Sequence, residues 1–143
     1  MELRSNDFND SETIPDKCAY RKGNEIPHLA WDNVPAKAKS LALLCHDPDA
    51  PAGDWIHWMV HSIDPDVTEI PSGGPVPGVE LENDFGEVGW GGPAPPSGTH
   101  RYFFKLYALD IPELKFVAKD NFTEKCENHK IEVGELMGTY TKH

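Results

Sequence analysis

Cysteine is scarce in this 143-residue sequence, which has only Cys18, Cys45 and Cys126. Their odd number, their wide spacing and the lack of a Cys-x-x-Cys pair exclude a disulfide framework and a thiolate zinc site, and they read as reduced, mostly buried thiols. Positive charge is scarce as well. The 13 Lys and Arg stand against 24 Asp and Glu, a net charge of −11. That balance repels phosphate backbones and anionic bilayers, so neither a nucleic-acid partner nor stable membrane association is expected. Long apolar runs are missing too. Nothing approaches the roughly 18 residues of a membrane span, and Met1-Glu2-Leu3-Arg4-Ser5-Asn6-Asp7 is too polar for a signal peptide. The expected location is the cytoplasm.

What is present is an ordinary globular composition, 38% hydrophobic and 26% charged. The length suits one domain over residues 1–143, large enough to bury roughly two thirds of its unfolded surface. Glycine and proline concentrate between residues 71 and 98, where they fill 14 of 28 positions. Such a segment cannot be helical and is too long for a simple turn, and Phe85 and Trp90 within it predict a loop packed on the body of the domain.

The flanking segments read as strands. Ser40 to His46 is a short apolar run entering Asp47-Pro48, Trp55 to Ile63 is bounded by Gly53-Asp54 and Asp64-Pro65, and His100 to Leu109 is rich in aromatics and ends before Pro112. Leu29-Ala30-Trp31 and Leu136 to Tyr140 read as shorter strands. One helix is expected after Asn121, with Glu124 completing a capping box and Phe122 and Cys126 as an i, i+4 apolar pair. The predicted fold is mainly β, a sandwich or partly open barrel over one core with one or two short helices.

Period-2 alternation puts Trp55, His57 and Met59 on one face of their strand, and His100, Tyr102, Phe104 and Leu106 on one face of theirs. Asp47, stiffened by the following proline, can orient an imidazole. Together these residues predict a compact donor site for a small anion such as phosphate, with the Tyr102 hydroxyl and backbone N–H groups of residues 91–98 as uncharged donors. The remaining histidines, His28, His46, His61, His129 and His143, read as surface or structural groups, and Arg101 reads as a structural partner of Asp49. Zinc is not expected, because His57, His100 and Asp47 lack the short spacing of metal motifs. Ser97 sits in no nucleophile elbow, and Cys45 and His46 face apart on a strand, so nucleophilic catalysis lacks support.

Asp47-Pro48-Asp49-Ala50-Pro51, Trp55-Ile56-His57-Trp58 and Gly92-Pro93-Ala94-Pro95-Pro96-Ser97-Gly98-Thr99-His100-Arg101-Tyr102 together resemble the phosphatidylethanolamine-binding proteins, in their bacterial and archaeal Raf-kinase-inhibitor-like branch. The resemblance runs from Leu3 to Tyr140. It implies antiparallel sheets with a small cavity for phosphate, acetate-like anions or a phosphoethanolamine head group. By position, Asp47, His57, His100 and Tyr102 are similar to the family's polar pocket residues, and Pro48, Ala50, Trp55, Gly92 and Pro95 to its walls and rim. Ile56 stands where eukaryotic members usually have a second histidine, and Ala94 where many prokaryotic relatives have cysteine. The resemblance further implies a homodimer that binds a small anion or phosphorylated ligand without a cofactor and without enzymatic turnover. A second expectation is an inhibitor of a serine protease or kinase acting through surface loops such as residues 71–98. A third, a phosphoesterase using His57 and His100 as acid and base, ranks last.

Overall fold

A computed structural model describes residues 1–142, and His143 lies outside the described residues. The almost uninterrupted apolar run at Ser40–Asp47 forms β3, the central strand of a five-stranded sheet. Both faces of β3 are buried, which is why its sequence shows little polar alternation. On one side it pairs with β4 (Trp55–Ile63) and on the other with β7 (Thr99–Leu109). The short β6 (Val79–Glu80) lies beyond β4, and β8 (Lys130–Thr141) lies beyond β7. A smaller sheet contains β1 (Glu2–Arg4), β2 (Leu29–Asp32) and β5 (Glu69–Ile70), in the order β1-β2-β5. Every strand pair is antiparallel.

The main core joins the two sheets: Leu3, Leu29, Trp31 and Ile70 from the smaller one meet Leu41, Leu43, Val60, Phe104 and Leu106 from the larger. The other face of the large sheet carries Ala42, Leu44, Met59, Tyr107 and Leu109, and α1 (Phe122–His129) packs Phe122 and Cys126 against it. All three cysteines are buried and none is bonded to another. The expected mainly-β architecture is therefore observed, with one short α-helix and one 3-10 turn, at Asp16–Cys18, among the described residues.

Three expectations change in detail. The last strand is not short, because β8 pairs with β7 along nearly its whole length. Glu132, Gly134 and Glu135 interrupt its apolar pattern, the two acids because this outer strand is partly exposed and Gly134 because it is buried against Met1 and Leu3. The Asn121–Glu124 capping box does not form. Asn121 instead accepts the Ala118 N–H at 2.8 Å and donates to the Phe116 carbonyl at 3.0 Å, which commits its amide to the preceding loop.

The third change concerns β4. Cys45 is opposite Trp58 and His46 is opposite Ile56, so His57 is an extra residue in the ladder, a β-bulge. The bulge breaks the alternation. His57 stays on the side of Trp55, but Met59 passes to the opposite face, where it joins the core under α1.

The glycine- and proline-rich segment is packed on the body, as its aromatics predict. Trp90 is buried and donates its indole N–H to the Cys18 carbonyl at 3.1 Å. The fully buried Asn83 fastens the segment from within, donating to the Gly89 carbonyl and accepting the Phe85 and Glu87 N–H groups.

Candidate functional site

At one end of β3, β4 and β7 the inward-facing positions become polar. Asp47 ends β3, Trp55 and His57 begin β4, and His100 and Tyr102 begin β7. The strands run antiparallel, so the end of the central strand lies between the starts of its two neighbours. These five side chains converge on a cavity of about 240 Å³, closed by Ala50 and Pro51 on one side and by Phe85, Ala94, Pro95 and Pro96 on the other.

Each polar group has a defined orientation. The Nδ1–H of His100 donates to Asp47 Oδ2 at 2.6 Å, and both side chains are buried. Asp47 is fixed in turn by its other oxygen, which accepts the Asp49 N–H at 2.8 Å. In His57, Nδ1–H donates to the Gly91 carbonyl at 2.6 Å, while the Gly91 N–H donates back to the His57 carbonyl at 3.0 Å. A carbonyl can only accept, so this pair sets the His57 tautomer and leaves the lone pair of the neutral ring on Nε2. Burial pushes the His57 pKa below the usual imidazole range, only partly opposed by the Gly91 carbonyl and the Asp47 charge. His57 is thus neutral at pH 7.

Two donors remain unspent. The Tyr102 hydroxyl and the Trp55 indole N–H are both buried atoms without a hydrogen-bond partner in the protein. Both residues line the cavity. The Ala94 main chain faces the Tyr102 oxygen without closing a hydrogen bond. Burial, with the nearby Asp47 charge, drives the Tyr102 pKa far above its ordinary value, so the hydroxyl stays protonated and able to donate. A buried donor left unmatched costs about 1–3 kcal/mol, which an acceptor entering the cavity would recover.

The walls are braced from outside. Arg101 and Asp49 form a two-pronged pair, with Nε to Oδ2 at 2.9 Å and the second nitrogen to Oδ1 at 2.8 Å, and the Arg101 N–H adds a third bond. The guanidinium holds the Asp49 pKa down at about 2, and this pair is the scaffold that its residue types predict. Phe85 stacks on Tyr20 with 4.0 Å between ring centroids and meets Trp55 and His57 edge-on at 5.5 Å. The Tyr20 hydroxyl reaches the Glu87 carboxylate and latches the loop that carries Phe85.

Of the residues singled out in the sequence, Asp47, Ala50, Trp55, His57, Pro95, His100 and Tyr102 line the cavity, whereas Pro48 and Gly92 do not. Pro48 is exposed in the turn after β3. Gly92 is pressed against the Cys18–Tyr20 backbone, where a Cβ would lie 1.8 Å from the Cys18 carbonyl oxygen. Nor do the N–H groups of Gly91 and Gly92 face a ligand. The first bonds His57, and the second donates to Asn24 Oδ1 at 2.7 Å. Pro51, Phe85, Ala94 and Pro96 are wall residues that strand periodicity could not find, because a loop brings them in. The aromatic ring of Phe85 inside the glycine-rich segment was the one available sign.

Comparison with known proteins gives a consistent result. The family model described as phosphatidylethanolamine-binding protein matches residues 4–141. A UPF0098 protein of Methanothermobacter thermautotrophicus is 43% identical over 99% of both chains, and the UPF0098 protein YbhB of Escherichia coli is 41% identical over 80% of this chain and 81% of its own. Among solved structures, a phosphatidylethanolamine-binding protein homolog from Chlamydia trachomatis superposes with a TM-score of 0.92 at 38% identity, covering 99% of this chain and 97% of its own. Escherichia coli YbcL, described as a new member of the mammalian family, gives 0.93 at 30% identity, covering 99% and 98%.

Proposed function

Because this chain belongs to the phosphatidylethanolamine-binding protein family, we propose that its cavity binds a small oxyanion or a phosphorylated head group, as a binding rather than a turnover site. The observation that carries this reading is the pair of unmatched buried donors, Tyr102 O–H and Trp55 N–H, on residues that line the same cavity as His57 and His100. An oxygen acceptor entering the cavity is what these two donors lack. The neutral His57 supplies an acceptor at Nε2, which suits an oxyanion that still carries a proton, such as a phosphate monoester in its singly charged form. An anion beside Asp47 also requires a proton between the two negative charges, and the His100 ring stands against that carboxylate.

Calorimetric titration of inorganic phosphate and phosphoethanolamine into the wild type and into His57→Ala/His100→Ala tests the proposal. Binding by the wild type that disappears in the double variant is the expected result. Failure of the wild type to bind either compound would overturn it and move attention to a protein partner of the surface loops.

A further inference from the structure

Behind the wall formed by Ala94, Pro95 and Pro96 lies a second cavity, of about 320 Å³, and these three residues line both. Its far side carries Arg21, Lys22 and Lys142, and among the described residues no carboxylate lines it. In a chain of net charge −11 this is a local reversal of sign. Asp16 Oδ2 is 3.9 Å from Lys22 Nζ in a loose, exposed pair, while its Oδ1 accepts the Tyr140 hydroxyl.

The main chain that carries these exposed cations is tied to the wall. The Tyr20 N–H donates to the Pro93 carbonyl at 3.0 Å, which ties the segment bearing Arg21 and Lys22 to one end of the wall. The Lys142 N–H donates to the Gly98 carbonyl at 2.9 Å, which ties the end of β8 near the other. Pro95 and Pro96 stiffen the wall and supply no main-chain N–H, so the basic side chains are the charged groups that can meet an anion in the second cavity.

We propose that the two cavities form one bipartite site for a small phosphorylated molecule that bears a second anionic group, a carboxylate or another phosphate. The first group sits among His57, His100 and Tyr102. The second reaches across Pro95 and Pro96 to Arg21, Lys22 and Lys142. This inference rests on the oxyanion reading of the first cavity and narrows its ligand class to dianionic compounds.

The test is calorimetric titration of inorganic phosphate and of linear phosphonocarboxylates of graded spacer length, into the wild type and into Arg21→Gln/Lys22→Gln/Lys142→Gln. At one spacer length the wild type should bind the phosphonocarboxylate about tenfold more tightly than phosphate, the scale expected for a few solvent-exposed charge pairs acting together. The gain should vanish in the triple variant and shrink with added salt. Phosphate affinity should change by no more than about twofold between the two proteins, since the substituted side chains lie outside the first cavity. Phosphate binding with no gain at any length, or a gain that survives the triple substitution, would overturn the bipartite site and leave the first cavity's reading intact. No phosphate binding by the wild type would overturn both.

Discussion

The inner face of β3, β4 and β7 has two ends built on different principles. Toward one end Leu41, Leu43, Val60, Leu106 and Ala108 pack into the core shared with the smaller sheet. At the other, Asp47, Trp55, His57, His100 and Tyr102 surround a cavity that a loop closes instead of a strand. The backbone ladder is continuous through both, so the difference lies in side chains and in what covers them. Each end also has a bulge in β4. At the core end the ladder slips beside His61 and Ser62, with Ser62 at a φ of 57°, and at the cavity end it slips at His57. The first lets the strand bend past the apolar layer, and the second turns an imidazole into the cavity. One fold thus stores stability at one end and leaves unmatched donors at the other.

That contrast can be broken most severely at Gly92, which belongs to the covering loop yet behaves as a core residue. Gly92→Ala should cost at least about 4 kcal/mol of unfolding free energy, because a Cβ there meets main-chain atoms of Cys18 and Tyr20 that cannot step aside. Urea unfolding measures the loss. Phosphate binding should weaken with it, since Gly91 is what holds His57.

Leu43→Ala separates the ends cleanly. Removing a fully buried side chain from the core end should cost about 2–5 kcal/mol in the same unfolding measurement. Phosphate affinity in calorimetry should stay within about twofold, because Leu43 is remote from the cavity lining.

A smaller effect sharpens the contrast through pH. An unfolded chain's histidine takes up a proton near pH 6.5, whereas the buried His57 ring resists it until the pH is lower. Below pH 6.5 the unfolded state therefore binds the extra proton, so the stability His57 contributes is present above that pH and drains away as pH falls. His57→Gln should lose less stability than the wild type between pH 7 and 5, as read from urea midpoints, and the His57 ring should titrate below 6.5 by NMR. Equal losses in the two proteins would place the ring in water.

Much of this was legible in the sequence. The apolar runs at residues 40–46 and 55–63 and the aromatic run at 100–109 mark three adjacent strands, and alternation alone puts His100 with Tyr102. The Arg101–Asp49 pair follows from residue type. Alternation failed at Met59 because a bulge has no sequence signature of its own, and Trp55-Ile56-His57-Trp58 reads the same with or without one. Periodicity was also silent on Asn24 and Asn83, whose side-chain amides fasten the loop by hydrogen bonds to its backbone, Asn24 from far away in the chain and Asn83 from within the loop. Pro48 and Gly92 look like rim residues by position but point their constraints elsewhere, one toward solvent and the other into the Cys18 backbone. The depressed pKa of His57 depends on burial by a loop some thirty residues away in the chain, which local pattern does not encode.

Tyr102→Phe decides whether the cavity end keeps buried donors unmatched for a ligand to satisfy. The substitution removes one oxygen from a fully buried ring and changes little else. If the hydroxyl waits for an oxyanion, the variant should unfold at the same urea concentration as the wild type or a slightly higher one, because an unmatched buried group has been removed. Its phosphate affinity should fall about tenfold, the worth of a hydrogen bond to a charged group. Loss of stability with unchanged phosphate affinity would contradict the account and make Tyr102 an ordinary core residue.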